Sequence, residues 1–462
     1  MADFKLSEII QIVNGQLIKG DPELTVSGIS TDSRKIKRGD LFLALKGEHF
    51  DGHQFLNEAV NAGAAALLVM DETNFAGETR IIKTDDTLKA FGAIAGFHRQ
   101  RFKVPVIGIT GSNGKTTTKD LIAAVLSQKY NVVKTEANYN NEIGLPLTLL
   151  KMDQTTEAVV VEMGMRGLGQ IHNLATIAGP EIGIITNIGQ AHMELLGSEA
   201  NIAKAKAELI ESLPPKGIAV LNGDDPWIRQ MAIPHQVRPI WFGLDDSNLD
   251  YRGVELGNNG EGIRFQVEGN GGKFELFLPL PGRLNVYNAL AAVVIGSILS
   301  LSIREIKEGL AAPAMTGRRL KIINRNQFRI IDDTYNASPA SVKAALEVLC
   351  GLSAPGKKIA VLADMLELGE ASISSHIEIG EYAANLEIDY LLAYGDLARK
   401  YVAGFVSITP GKAEYFSNKQ DLIQGLKELA GPGDSILIKG SRGMQMEEVV
   451  EALSEEGVLI NE

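Results

Sequence analysis

At 462 residues the chain is too long for one ordinary hydrophobic core, and three domains is the natural expectation. Its 45% hydrophobic and 22% charged content is that of a globular protein in water, and a formal charge of −12 argues against a nucleic-acid surface, where clustered Lys and Arg neutralise phosphates. A lone Cys350 excludes internal disulfides and Cys-based zinc sites, the opening MADFKLSEIIQIV carries acids where a signal peptide has a basic and then an apolar stretch, and no run approaches the ~18 apolar residues of a membrane span, so a cytoplasmic enzyme or ATPase is expected.

Residues 1–103 alternate short apolar runs (41–45, 64–70) with helical stretches such as 54–62, which predicts a small α/β domain. A basic segment, 98–103, followed by Val104-Pro105 marks a boundary. The second domain, 104–314, opens on VIGITGSNGKTTTKD (106–120): an apolar run, a Gly-rich turn, then the start of a helix. The amides of Gly111, Ser112, Asn113, Gly114 and Thr117 suit phosphate oxygens, the Lys115 ammonium reaches the outer phosphates, and the Thr116 hydroxyl is placed for Mg²⁺. A nucleoside triphosphate is implied. The usual loop has a further Gly where Ile109 stands; here the glycines are Gly108, Gly111 and Gly114.

Apolar strands at 158–161 and 182–188 with helices between them imply a largely parallel sheet. Ligands in such sheets lie beyond the strands' carboxyl ends, where Glu162 and His192 stand as candidate Mg²⁺ ligands, against the plainer readings of a helix cap and a locally bonded histidine. In the helix at 198–213, Ile202, Lys206, Leu209 and Leu213 share one face, with Lys204 opposite. Lys206 either snorkels its amine to water or loses its proton, takes up CO₂ and becomes a carbamate, an oxygen ligand in place of an unpaired cation. A β-hairpin around Gly-Asn-Gly-Gly (269–272) precedes a helix at 285–299, where Asn285 and Asn288 suit an adenine edge or, for Asn285, a helix cap. A linker at 311–317 leads to Arg318, within reach of a phosphate.

From 315 to 462 the βα rhythm restarts: strands at 328–331, 358–362, 390–393 and 435–438, helices at 341–349 and 373–384. This predicts a Rossmann-like doubly wound domain, with Asp332 and Asp333 at a strand end as partners for a ribose hydroxyl. The expected architecture is therefore α/β throughout: a small N-terminal α/β domain, a central P-loop parallel-sheet ATPase domain and a Rossmann-like C-terminal domain.

The stretches STDSRKIKRGDLFLALKGEHFDGH (30–53), GITGSNGKTTTKD, TEANYNNEIGLP (135–146), VEMGM (161–165), TNIGQAH, KAKAE, PGRLNVYNALAA, DDTYNASP, ADMLELGE (363–370) and KGSRGMQME (439–447) together resemble the Mur ligases, ATP-dependent amide-forming enzymes of peptidoglycan precursor synthesis. The resemblance covers essentially the whole chain, and DDTYNASP with ADMLELGE points to the branch that joins D-alanyl-D-alanine to UDP-N-acetylmuramoyl-tripeptide through an acyl phosphate. It implies a UDP-sugar site near Asp32, Ser33, Arg34 and Gly47, further substrate contacts at Asn138 and Asn141, service to ATP and Mg²⁺ by Lys115, Thr116, Glu162 and His192, a carbamylated Lys206, and reception of D-Ala-D-Ala near Tyr335 and Asn336, in a monomer. Leu284, Ser338 and Ala363 depart from residues frequent in the family (His, Asn and Gly). Two rivals remain at this stage: a sister ligase adding another residue, including a folylpolyglutamate-type enzyme, and a nucleotide-driven switch with no carboxylate acceptor.

Overall fold

A computed structural model describes residues 3–47, 50–71, 79–191, 193–258, 262–269, 271–325, 328–352 and 355–455. Three sheets, each with its own apolar core, follow one another along the chain. The first has five strands in the order Gln16–Lys19, Arg80–Lys83, Ala66–Val69, Leu41–Leu43, Ile29–Ser30, all pairings parallel except that of the outer Gln16–Lys19. Helix Thr87–Gln100 packs Phe91 and Ile94 beneath it.

Within the basic segment at 98–103, where the sequence suggests only a boundary, Arg99 is a buried clamp. Arg99 donates to the carbonyls of Ala178 and Gly179 and to Glu181, which in turn accepts from Val106 N. This ties the end of the N-terminal helix to the first strand of the central sheet.

The central sheet has nine strands. Seven run parallel in the order Tyr251–Asn258, Arg238–Gly243, Ile218–Asn222, Ile182–Ile185, Val106–Thr110, Ala158–Glu162, Val132–Lys134, and Ile263–Gly269 and Gly272–Leu278 continue the Tyr251–Asn258 edge as an antiparallel meander. The expected hairpin is present, with Gly269 opposite Gly272; Asn270 of its turn lies outside the described residues. Helices Lys115–Leu126 and Arg283–Ile298 cover one face, and Gln170–Ala178 and Glu199–Glu211 cover the other. The first of these four starts where an apolar strand meets glycine, and the last is capped by Ser198 Oγ, which accepts from Asn201 N. The strand expected over 182–188 stops at Ile185; Thr186 N still donates to Thr110 O, while the side chains of Thr186 and Asn187 bond the phosphate loop.

The C-terminal sheet runs Lys321–Asn324, Arg329–Asp333, Ser435–Lys439, Lys358–Ala363, Tyr390–Tyr394, Ala413–Phe416. It is the expected doubly wound sheet with two edge strands that the sequence reading lacks. Lys321–Asn324 is antiparallel, and Ala413–Phe416 is half exposed and only weakly apolar. Among the described residues no helix is long and apolar enough to cross a membrane.

Helices Ser372–Asn385 and Arg399–Ile408 meet backbone to backbone at two glycines. A Cβ on Gly380 would stand 2.1 Å from the Tyr401 carbonyl oxygen, and one on Gly404 2.2 Å from that of Ile377. Gly380→Ala is therefore expected to cost about 2–4 kcal/mol of stability, read as a lower urea midpoint; an unchanged midpoint would show that the two helices can separate freely.

Candidate active site

Strand Val106–Thr110 is fully buried, Ile109 included, and breaks at Gly111 into the turn that opens helix Lys115–Leu126. Gly111 (φ 153°) and Gly114 (φ 80°) have no room for a side chain, since a Cβ on the first would meet Thr186 Oγ1 at 1.9 Å and on the second Asn288 Oδ1 at 2.5 Å. The neighbouring strand's end holds the loop: Thr186 Oγ1 and Asn187 Nδ2 donate to Asn113 O (2.6 and 3.0 Å), and Asn187 Oδ1 accepts from Asn113 N (2.9 Å). Ser112 N donates to Asn187 O, and Ser112 Oγ accepts from Gly189 N. These bonds, all within the protein, fix the shape of the loop. A signal for Thr186 and Asn187 existed in the polar TN that interrupts an apolar run.

Glu162 ends strand Ala158–Glu162 and is almost fully buried. It accepts from Thr116 Oγ1 and from Asn140 Nδ2, both at 2.8 Å. Thr116 Oγ1 in turn accepts from Arg319 Nη2 at 3.0 Å, and the Arg319 guanidinium lies 4.1 Å above the Tyr335 ring. Lys115 donates to the Gly111 and Ser112 carbonyls (2.7 and 3.3 Å). Burial pushes its pKa down, Glu162 opposes that shift, and Arg319 adds to it. Hard oxygen donors at Thr116 and Glu162 fit Mg²⁺, which commonly takes one or two protein ligands and completes its shell with phosphate and water. No group of three or more acidic, His or Cys side chains that could hold a metal occurs among the described residues.

Lys206 is on the inward face of its helix, with Ile202 and Leu209 fully buried around it, while Lys204 is exposed. Burial drives its pKa well below the usual lysine range, and the like charge of Lys115 drives it further. Among the described residues no acid offsets this.

A cavity of about 800 Å³ opens over the loop. Its walls combine the loop with Asn138, Asn140 and Asn141 on one side and Asp333, Tyr335 and Asn336 of the C-terminal sheet on the other. Asn141 Oδ1 also caps the helix Gly144–Leu149 by accepting from Gly144 N. Asn285 and Asn288 lie in the same wall; Asn285 Nδ2 donates to Pro281 O, and Asn288 takes a hydrogen bond from Thr118 Oγ1 while donating to Asn285 Oδ1. Asp333 is engaged by Lys439 Nζ at 2.5 Å and by Leu320 N, and Lys439 also donates to Asn336 O. Ser338 Oγ donates to Asn113 Oδ1 across the cavity at 2.9 Å.

One placement differs from the sequence reading. Arg318 is not brought to the loop: it pairs with Asp332 and Glu451 on the far side, and Arg319 occupies the position expected of it. Asn140, between the two asparagines singled out, is the one that bonds Glu162. His192 lies outside the described residues; Ala191 before it lines the cavity.

The N-terminal residues form a separate pocket of about 370 Å³, lined by Thr31, Asp32, Ser33, Arg34 and the rings of Phe42, Phe50 and Phe55. Asp32 caps the short helix Ser33–Lys35 through Arg34 N and takes two hydrogen bonds from the Arg34 guanidinium. Phe50 stacks on Phe55, centroids 5.4 Å apart. Gly47 lies at the base of the turn bearing Phe50, its N–H donating to Phe50 O.

The chain matches the Mur ligase family catalytic domain over residues 25–108, the Mur ligase middle domain over 109–296 and the Mur ligase glutamate ligase domain over 318–442. It is 41% identical to the UDP-N-acetylmuramoyl-tripeptide–D-alanyl-D-alanine ligase of Bacillus subtilis (strain 168) over 97% of this chain and 98% of that one. Its fold is similar to a crystal structure of MurF from Acinetobacter baumannii (TM-score 0.91, 31% identity, 98% and 99% of the two chains). It is also similar to MurF ligase from Thermotoga maritima in complex with ADP (TM-score 0.83, 30% identity, 93% and 97%). Built on a nucleotide loop that faces a second α/β sheet across one cavity, and matched along nearly its whole length, the chain belongs to the Mur ligase family.

Proposed function

We propose that the chain joins D-alanyl-D-alanine to UDP-N-acetylmuramoyl-tripeptide with ATP, in peptidoglycan precursor synthesis. The observation that carries this reading is the single cavity in which a phosphate loop confronts Tyr335 and Asn336, together with relatives of that name matched end to end. In this reading residues 1–103 hold the UDP-sugar, 104–314 the ATP and 315–462 the incoming dipeptide. In this reading the chain works as a monomer in the cytoplasm, where its precursors are made.

The reaction begins when the tripeptide's terminal carboxylate forms a bond to the γ-phosphorus of ATP and the bridging P–O bond to ADP breaks. The dipeptide amine then attacks the acyl carbon, phosphate leaves and the amine sheds a proton. Bringing two anions to 4 Å costs about 4 kcal/mol per unit-charge pair at an effective dielectric near 20. Lys115 and Arg319 offset that repulsion and orient the γ-phosphate. The amides of Gly111 to Thr117 receive the phosphates, and Asn285 and Asn288 face the adenine. The ribose falls to Asp333, which is already oriented by Lys439. Thr116 and Glu162, with His192 as a further ligand, would hold Mg²⁺, whose chemistry there would be to spread the phosphate charge. Arg318 holds Asp332, beside Asp333 on the same strand end. Asn138 and Asn141 bound the approach of the acceptor carboxylate, and the enclosing walls keep water from the acyl phosphate. At the far end Asp32, Ser33, Arg34 and the Gly47 turn receive the uridine diphosphate, with the Phe50 face open to a uracil ring.

Lys206 acts in this reading as a carbamate: its neutral amine attacks CO₂, an N–C bond forms and a proton is released. The product is an anion beside Lys115 in place of a buried, unpaired cation. Without that modification the residue is a burden on the fold.

Phosphate release from ATP with UDP-N-acetylmuramoyl-tripeptide is expected to require D-Ala-D-Ala, and turnover that ignores the dipeptide would sink the assignment. Lys206→Ala is expected to lose at least about 100-fold in kcat, with partial recovery on adding a short carboxylate such as formate. Its pKa is lowered on folding, so the unfolded chain binds the extra proton at pH values between the lowered and the ordinary lysine value. The penalty is full below the lowered value and vanishes as pH rises to the ordinary one. Lys206→Met should therefore gain about 2 kcal/mol or more at neutral pH in CO₂-free buffer, and the gain should shrink towards alkaline pH; a pH-independent difference in urea unfolding would contradict this. Phe50→Ala should raise KM for the UDP-substrate about tenfold and leave KM for ATP unchanged; equal effects on both would remove the ring from the uridine site.

A further inference from the structure

Between helix Ile303–Ala311 and strand Lys321–Asn324 the chain crosses from the central to the C-terminal sheet with no helix or strand over 312–320. A stretch of this kind has no ladder to fix its path, yet it must deliver Arg319 to Thr116. Its path is set by Asp120, on the same helix as the phosphate loop and fully buried. Asp120 Oδ2 accepts from Thr316 N at 2.7 Å, and Oδ1 accepts from Thr316 Oγ1 at 3.0 Å and from Lys134 Nζ at 2.6 Å. Lys134 also donates to Ala314 O, and the buried Lys119 ammonium stands 3.5 Å from Oδ1.

Asp120 and Thr116 are four residues apart, on one face of helix Lys115–Leu126. The linker therefore runs along that face, gripped at Thr316 one turn away from where Arg319 meets Thr116. Both backbone and side chain of Thr316 are held, which fixes the direction in which the chain leaves the clip. A charged acceptor makes these bonds stronger than neutral ones, and the flanking Lys119 and Lys134 make a buried carboxylate tolerable here.

We propose that Asp120 is a positioning residue for phosphoryl transfer, clipping the interdomain linker to the phosphate-loop helix so that Arg319 is set over the nucleotide's outer phosphates. The inference rests on the ligase reading above for its kinetic part and on the clip alone for its structural part. It predicts that Asp120 governs kcat through Arg319 and has little effect on ATP affinity, whereas a residue that only stabilises the fold would act without regard to Arg319.

The test is a double-mutant cycle in the full-length protein. Asp120→Asn, Arg319→Ala and the double variant are assayed for dipeptide-dependent phosphate release, with kcat and KM for ATP determined separately. Asp120→Asn is expected to lower kcat roughly 10- to 100-fold with KM for ATP within about threefold. In the Arg319→Ala background the same substitution should change kcat by less than about threefold; equal losses in both backgrounds would overturn the proposal. Thr316→Val, which removes only the hydroxyl arm, serves if Asp120→Asn does not fold, with a smaller kcat loss expected that also disappears when Arg319 is Ala. Hydrogen exchange at the Thr316 amide needs no turnover: it should be protected in the parent protein and exchange at least about tenfold faster in Asp120→Asn or, where that variant does not fold, in Asp120→Ser. An unprotected amide in the parent overturns the clip, while a parent that releases phosphate without the dipeptide overturns the ligase reading and leaves the exchange result to decide the clip.

Discussion

One buried carboxylate organises the nucleotide end of this molecule. Glu162 lies among Lys115, Lys119 and Arg319, taking its hydrogen bonds from Thr116 and Asn140. Without its negative charge those cations would face one another in a poorly solvated space, and breaking such a buried arrangement by removing one partner commonly costs about 3–5 kcal/mol. The surrounding structure serves this balance. The strand Ala158–Glu162 ends where the carboxylate is needed, the helix Lys115–Leu126 presents Thr116 to it, and the linker brings Arg319 across. Lys206 is the member left uncompensated, with burial and the like charge of Lys115 both acting against its ammonium form.

The cavity is assembled from two sheets whose carboxyl ends face each other, and three contacts join them beside the Asp120 clip on Thr316. Arg319 reaches Thr116, Ser338 Oγ reaches Asn113, and the carbonyl of Glu367 accepts from Glu194 N. Ser338 departs from the asparagine frequent in the family. Its short hydroxyl suffices because Asn113 comes within 2.9 Å of it, so the departure is absorbed by a close approach of the two walls. The ADMLELGE stretch meets the central sheet's side at Glu194, through the Glu367 carbonyl.

Much of this was legible in the residues because period and punctuation carry it. The strand, glycine turn and helix of the phosphate loop announce themselves, and the inward face of Lys206 follows from spacing against Ile202 and Leu209. What stayed hidden depends on irregular backbone. Nothing periodic distinguishes Arg318 from Arg319 in a linker, and only the grip on Thr316 decides which guanidinium turns inward. The three asparagines of TEANYNN occupy a turn, where side-chain direction changes at every residue, so Asn140 could not be separated from Asn138 and Asn141. Thr186 and Asn187 read as the tail of an apolar strand because their partners lie more than seventy residues earlier. The edge strand Ala413–Phe416 lacks a strongly apolar signal, since only Phe416 is buried.

The formal charge of −12, set beside cations gathered inside the cleft, gives the molecule a field that changes sign with distance. The substrates proposed above, ATP and a UDP-linked peptide, are polyanions. Far from the surface they meet net repulsion, screened beyond about 8 Å at physiological ionic strength, and only at the mouth of the cavity do Lys115 and Arg319 dominate. Encounter is therefore not steered from afar, as it is for enzymes with basic funnels. The acidic exterior instead discourages non-productive adhesion of polyanions elsewhere on the surface, so that short-range capture at the loop does the selecting.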